Sequence, residues 1–309
     1  DKKLYEELVR KIKEAGINAG FQNSAIRLAD PARPARKPVF PNMTLNLVLA
    51  LLFSTLLAVG AAVLSDVLDN TVRDPEQASR LLNTEVVGSL PLVKPWRGKP
   101  ALVLPGGDAN SKALVPAGKR VDRAFTGFEE AIRTLRNSIL LGASDRQLRS
   151  IMITSAGPAE GKTTAAVHLA LAHAQQKQRT LLIDCDLRRP GVHRMLGISA
   201  GSGLIHVLSN GLKWKEDLVK LEGLPELDIL PAGLATRRGA DLLGPGLPQI
   251  LEEASAEYDL VIIDSPPILG FPEPLQMAAA VDGVVLITIA GETNRKAVSS
   301  AMSTLQRVR

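Results

Sequence analysis

The spacing of apolar and polar positions changes four times along this chain. In "LYEELVRKIKEAG" the residues Leu4, Leu8 and Ile12 recur every four positions with charges between them, which predicts an amphipathic helix ending near Gly16. A short apolar-alternating piece follows, and then "DPARPARKPVFPN", where Pro31, Pro34, Pro38 and Pro41 exclude helix and central strand and predict an extended linker. From Asn42 to Ser65 no residue is charged. A helix of about 20 apolar residues spans the hydrocarbon core of a bilayer, so this stretch predicts a transmembrane helix. Residues 66–122 are mixed: "NTEVVGSLPLV" predicts a short strand, and the Pro-, Gly- and Lys-rich stretch around 94–120 predicts a linker.

Beyond residue 122 the pattern becomes regular. Buried-strand runs are expected at 150–155, 179–186, 226–232, 258–264 and 282–290. Helical stretches are expected between and after them, at 161–177, 190–197, 203–209, 239–257, 273–281 and 293–307. Apolar strands alternating with helices predict an α/β fold, a mostly parallel sheet covered by helices on both faces. The expected divisions are therefore 1–41, a transmembrane helix at 42–65, a juxtamembrane segment at 66–122 and an α/β domain at 123–309. The chain starts with Asp1 rather than Met and stops at Arg309 inside a predicted helix, and is read as a segment of a longer protein.

Composition narrows the function classes. One cysteine, Cys185, excludes an internal disulfide and suits a reducing compartment. A formal charge of +5 with 3% aromatic residues argues for a solvated basic surface with some attraction to anionic lipid, and against the stacking platforms of nucleic-acid binders. No nucleic-acid partner is expected. Arg27, Arg33, Arg36 and Lys37 precede the apolar stretch and Arg73 and Arg80 follow it, which by charge alone weakly places the N-terminal side in the cytoplasm. A nucleotide site after the span requires the opposite orientation, and that orientation is the one expected.

Candidate chemistry lies where ligands bind in parallel sheets, beyond the carboxyl ends of the strands. The first strand runs into "SAGPAEGKTT". Gly157, Pro158, Ala159, Glu160 and Gly161 form a turn able to aim backbone N–H groups inward, ahead of Lys162, Thr163 and Thr164 at a helix N-terminus. This is a phosphate-binding loop with Ala156 in place of the usual first glycine; Lys162 would reach phosphates and Thr163 would ligate Mg²⁺. The second strand ends in "DCDLRRP". Asp184, Asp186 and Arg188 leave the sheet together and need a partner, which Mg²⁺ bound to phosphate supplies. The third ends in "IIDSPP", where Asp264 fits a metal-holding Walker-B aspartate.

Together "GPAEGKTT", "LLIDCDLRRP" and "VIIDSPP" resemble the bacterial tyrosine kinases, the autokinase part of the polysaccharide co-polymerases of capsule and exopolysaccharide synthesis. In that family the loops are Walker A, A′ and B, and the missing first glycine is normal. "EEAIRTLRNSIL" carries Glu130, Arg133 and Arg136 at the spacing that packs the family's subunits into a ring; alone it would read as a salt-bridged surface helix. "LPAG…ADLLG" resembles the family's next segment, with Arg237-Arg238-Gly239 replacing its usual prolines. The N-terminal helix, linker, span and "VVGSLPLV" are similar to the end of the extracytoplasmic chain-length domain and the second transmembrane helix.

The resemblance implies an ATP- and Mg²⁺-dependent tyrosine autokinase of the bacterial inner membrane, with a cytoplasmic kinase domain, that regulates polysaccharide polymerisation, chain length and export. It implies Lys162 on phosphate, Thr163, Asp186 and Asp264 on Mg²⁺, and Asp184 as the base for the tyrosine hydroxyl. Its implied partners are a homo-oligomeric ring, a tyrosine-rich tail phosphorylated in trans, the polymerase and export machinery, and a tyrosine phosphatase. One departure stands out: the chain has only Tyr5 and Tyr258, neither of them an expected acceptor. Two alternatives remain, a membrane-associated partitioning or positioning ATPase and an ATP-gated assembly scaffold without kinase activity. The first normally has a signature lysine where this chain has Gly157.

Overall fold

The computed structural model describes residues 2–21, 40–92, 123–142, 148–211, 213–235 and 239–308. Most of the proline-rich linker, the 94–120 stretch, and Arg237 and Arg238 lie outside these residues. The chain divides into two compact units, Asp1–Leu68 and Asp69–Arg309.

In the first unit, α1 spans Lys2–Phe21, five residues beyond the expected stop at Gly16. A lone glycine inside a helix costs only about 1 kcal/mol, and Gly16 does not adopt the positive φ of a helix-ending glycine. The second helix, α2, spans Met43–Leu68. It is long and apolar enough to cross a membrane, with a mean hydropathy of 2.6 over its best window and none of that window buried. Two hydroxyls in its middle are satisfied within the helix: Ser54 and Thr55 both donate to the Leu51 carbonyl, at 2.9 and 2.8 Å, as a lipid environment requires.

The second unit opens with a helix that the sequence pattern did not predict, α3 at Pro75–Leu82. Its signals are local. Asp74 caps Glu76 N–H, Pro75 occupies the first turn, and Asn83 ends it at φ 46°. The expected strand near 83–93 does not form among the described residues: 85–92 carry no regular secondary structure and join no ladder. They lie against α4, Arg123–Gly142, where Gly88 approaches Leu135 closely.

The sheet has six strands, β1 Ser150–Ser155, β2 Thr180–Asp184, β3 Val219–Leu221, β4 Leu224–Leu230, β5 Leu260–Asp264 and β6 Gly283–Ile287, in the order β3-β4-β2-β5-β1-β6. All neighbours are parallel except β3, an unpredicted edge strand that pairs antiparallel with β4 through a tight turn at Gly223, φ 85°. Successive residues of each central strand face opposite cores, which is why these strands read as continuous apolar runs. Met152, Leu181, Ile183, Val261 and Ile263 pack on one face with α8 (Gly239–Glu257), α9 (Glu273–Ala280) and α10 (Arg295–Gln306). Ile151, Ile153, Leu182 and Ile262 pack on the other with α4 and α5 (Lys162–Ala174). Two short helices, α6 at Val192–Leu196 and α7 at Gly203–Asn210, complete the layers. The register sets Asp184 of β2 opposite Asp264 of β5, and Asp264 opposite Ile153 of β1, so the three motif-bearing strand ends lie side by side.

Candidate nucleotide site

The loop after β1 has the geometry of an anion cradle. Gly161 adopts φ 87°, a conformation that favours glycine, and directs the chain into α5. No side chain caps the N-terminus of α5, so its first-turn N–H groups and the positive end of its dipole face the loop unanswered. Ala156 is fully buried at the end of β1 and needs no positive φ, which explains why alanine serves where the common loop has glycine. The strained position is Ala159, at φ 64°. Glu160 braces the turn from within: its carboxylate accepts Gly157 N–H at 2.9 Å. Pro158, Ala159 and Gly161 are exposed, and Thr163 and Thr164 half-buried.

Around this cradle stand one ammonium and three carboxylates. Lys162 Nζ lies 2.8 Å from Asp186 Oδ2, both side chains nearly buried. Burial opposes its charge, but Asp264 and then Asp186 outweigh that and raise its pKa. Asp186 Oδ1 also accepts Arg189 N–H at 2.9 Å. Asp184 is wholly buried and accepts three backbone N–H groups: Asp186 at 3.2 Å on Oδ1, and Gly191 and Val192 at 3.1 Å each on Oδ2. Burial nevertheless raises its pKa. Asp264 differs from both. It is fully buried and neither oxygen accepts a hydrogen bond; burial pushes its pKa well up, with the Lys162 charge and the nearby Thr163 hydroxyl opposing. A buried carboxylate held without donors fits a ligand that brings positive charge. The donor set available, a hydroxyl and carboxylate oxygens, suits a hard cation such as Mg²⁺. Among the described residues no three His, Cys, Asp or Glu side chains form a ready-made metal cage.

Arg188 does not belong to this cluster. It was expected to share the phosphate-bound cation's site, but it pairs with the buried Glu273 at the start of α9, 2.7 Å from Nη2, and stacks 4.8 Å from the Phe271 ring centroid. It therefore ties the β2 loop to α9. Glu130, Arg133 and Arg136 lie together on α4, away from the strand ends. Arg133 pairs with Glu130 at 3.0 Å, whereas Arg136 donates to the Ala172 carbonyl near the end of α5, also at 3.0 Å. Tyr258 is buried and its hydroxyl donates to Asp228 at 2.7 Å, while Tyr5 is exposed on α1.

Two residues that the motifs did not single out also touch the site. A Cβ at Gly191 would stand 2.9 Å from Thr163 Cγ2 and 3.3 Å from its Oγ1, so the glycine is what leaves room for that hydroxyl. Its only signal is the Pro-Gly that closes "DCDLRRPG". Thr293, beyond β6, donates to Glu160 Oε1 at 2.7 Å; nothing in the sequence pattern marks it.

Residues 149–309 match the family described as AAA domain. Tyrosine-protein kinase YwqD of Bacillus subtilis is 38% identical over 177 residues, 57% of this chain and 74% of that protein. Tyrosine-protein kinase etk of Escherichia coli (strain K12) is 29% identical over 318 residues. That alignment covers 98% of this chain but 42% of the relative, so the chain spans about two fifths of that protein's length. Among solved structures, the kinase domain of the Escherichia coli tyrosine kinase ETK superposes with a TM-score of 0.63 at 28% identity, covering 76% of this chain and 89% of that one. The BceF tyrosine kinase domain gives 0.61 at 25% identity, covering 77% and 94%.

Proposed function

The chain belongs to the bacterial tyrosine kinase family, with a P-loop ATP-binding domain, and on that premise we propose that it is a membrane-anchored tyrosine autokinase regulating polymerisation, chain length and export of an exopolysaccharide or capsule. The observation that carries the reading is the convergence of Lys162, Asp184, Asp186 and Asp264 on the open N-terminus of α5. Phosphoryl transfer asks a protein mainly for positioning, charge neutralisation and an oriented nucleophile, and these residues divide that work.

The loop N–H groups from Ala159 to Thr164 take the phosphates of ATP, while Gly157 N–H stays on Glu160 and Pro158 shapes the turn. Lys162 exchanges Asp186 for phosphate oxygens, which frees Asp186 Oδ2. Thr163, Asp186 and Asp264 would hold Mg²⁺, which would supply charge neutralisation on the phosphates. Asp184 takes the proton of the incoming tyrosine hydroxyl. Its Oδ1 accepts only one N–H and keeps a lone pair in reserve, and its raised pKa makes it a stronger base than an exposed aspartate. In this reading α2 anchors the chain in the inner membrane and the catalytic unit is cytoplasmic, the side that supplies ATP. Glu130, Arg133 and Arg136 pack copies into a ring in which tyrosine-rich tails are phosphorylated in trans, and a phosphatase resets them. Tyr258 is excluded as acceptor by its burial.

Phosphotyrosine mass spectrometry on the full-length protein after incubation with Mg·ATP tests this, with Lys162→Met as control. Phosphate on tyrosines beyond Arg309, lost in the control, is the expected result. ATP hydrolysis lost in the control with no phosphotyrosine in either sample would leave an ATP-gated assembly factor.

A further inference from the structure

A side chain from outside the turn, Thr293, helps to hold the phosphate loop. Glu160 Oε2 accepts Gly157 N–H at 2.9 Å while Oε1 accepts the Thr293 hydroxyl at 2.7 Å, so a single carboxylate spans the turn and anchors it to the loop between β6 and α10. Thr293 is buried, and its Oγ1 also accepts Ile289 N–H at 2.8 Å, which fixes the hydroxyl's direction. The backbone of that loop is stitched in turn to residues Asn70–Val72, which follow α2 in the chain after a single intervening residue, Asp69. Val72 N–H donates to the Thr293 carbonyl at 3.0 Å, Gly291 N–H to the Val72 carbonyl at 2.8 Å, and Arg295 N–H to the Asn70 carbonyl at 2.8 Å. Arg295 Nε adds a bond to the Thr71 carbonyl at 2.8 Å, and Thr71 bridges Asn294. Val72 is buried in the core beneath.

We propose that Thr293 is a positioning residue for the phosphate loop, and that it carries the state of the 70–72 strap behind the membrane span to the nucleotide site through Glu160. Glu160 is half-buried, and among the described residues the Thr293 hydroxyl is the one group besides Gly157 N–H that hydrogen-bonds its carboxylate and keeps it turned across the loop. Released into water, it frees the Gly157 N–H and lets the turn open. Nucleotide binding must then order a loop that is ordered in advance when the strap is seated. The strap itself touches no loop residue through these bonds; its influence passes through the Thr293 backbone. Thr293 contacts neither phosphate nor cation in this scheme and takes no part in the chemical step.

The inference rests on the phosphate-loop reading but not on tyrosine as acceptor. It is tested by Mg·ADP affinity of the whole chain in detergent micelles, with hydrogen exchange at 157–161 in the nucleotide-free state as the second readout. Removing a charge-assisted hydrogen bond that orders the loop is expected to weaken binding about tenfold in Thr293→Val and to speed exchange at Gly157. Thr293→Ser, which keeps the hydroxyl, is expected to bind within about twofold of wild type. Arg295→Met, which loosens the strap alone, is expected to weaken binding about threefold in the wild-type background and not at all in Thr293→Val. Equal binding by Thr293→Val and wild type would overturn the proposal. So would Thr293→Ser falling with Thr293→Val, or an Arg295→Met effect that persists undiminished in the double variant. Wild-type protein that fails to bind Mg·ADP would remove the phosphate-loop reading as well, an outcome distinct from all of these.

Discussion

Replacing Asp264 by asparagine is expected to stabilise the nucleotide-free protein at pH 8 and to lose that advantage as the pH falls to about 4. Asp264 is fully buried and neither oxygen accepts a hydrogen bond of good geometry; burial, opposed by the Lys162 charge and the nearby Thr163 hydroxyl and reinforced by Asp184, raises its pKa. An acid whose folded pKa lies above its unfolded value near 4 contributes stability that is fully present below that value. The contribution is lost as the pH rises through the folded pKa, because the unfolded chain then ionises more readily than the folded one. Asparagine has no proton to lose. Its amide is no better partnered than the carboxylate, so the gain is the relief of a buried charge less the residual cost of a buried polar group, roughly 1–3 kcal/mol. For a unit the size of Asp69–Arg309 that is a rise in Tm of about 2–10 °C at pH 8. Thermal melts of the whole chain in detergent, in chelator and without nucleotide, measure it. An Asp264→Asn variant that melts at or below wild type at pH 8, or that gains as much at pH 4, would refute the account of Asp264 as a buried carboxylate whose burial is not fully compensated. Mg·ADP should then reverse the ranking, stabilising wild type and not the variant.

Four further substitutions probe the same frame. Gly191→Ala needs no unusual backbone, since Gly191 lies at φ −124°, but its Cβ would crowd the Thr163 side chain; we expect about tenfold weaker nucleotide binding in Mg²⁺ and little change in chelator, read by titration in both buffers. Gly203→Ala combines φ 58° with a Cβ overlapping the Pro231 carbonyl and the Gly233 amide, so it should cost more than about 3 kcal/mol in denaturant unfolding. Gly211→Ala, at φ 101° in open space, is its control and should cost only about 1–2 kcal/mol. His168 lies edge-on to Phe128 at 5.0 Å, and burial lowers its pKa to about 4. The unfolded chain protonates first as pH falls through about 6.5, so stability is lost between there and 4; His168→Phe should flatten that limb by about 2–3 kcal/mol in pH-resolved melts.

The parallel sheet was legible because its central strands are buried on both faces and leave unbroken apolar runs, such as "LLID" before Cys185 and "LVIID" before Ser265. The elements that escaped lack such a signature. The three-residue β3 carries Lys220 between two apolar positions, too short for any period to show, and is a strand only because β4 offers it an edge. By contrast α3 announced itself through Asp74-Pro75 and Asn83, capping chemistry that an apolar-period reading passes over. The "VVGSLPLV" segment failed in the opposite direction: its composition suits a strand, but residues 85–92 pack against α4 and find no ladder partner. Site residues divide the same way. Lys162, Thr163 and the three aspartates are marked by where they leave a strand, whereas Gly191 and Thr293 act through contacts with residues 28 and 133 positions away, a separation that only the fold brings together.

The charges left at the strand ends explain why such a site is kept at a cost to stability. Three buried or nearly buried carboxylates share one ammonium, and that ammonium is engaged by Asp186. Asp184 is steadied by backbone amides and Asp186 by Lys162 and an amide, which leaves the imbalance on Asp264. A protein selected for stability alone would have lost that carboxylate or given it a donor. Retaining it without one means that a cation bound with phosphate meets an oxygen pair that gives up no hydrogen bond to receive it. The adjacent loop is arranged in the same sense: α5 has no side-chain cap to displace, and Ala159 already holds the positive φ that the turn requires. The folded chain thus carries beforehand much of the desolvation and ordering that phosphate and cation would otherwise have to supply on binding.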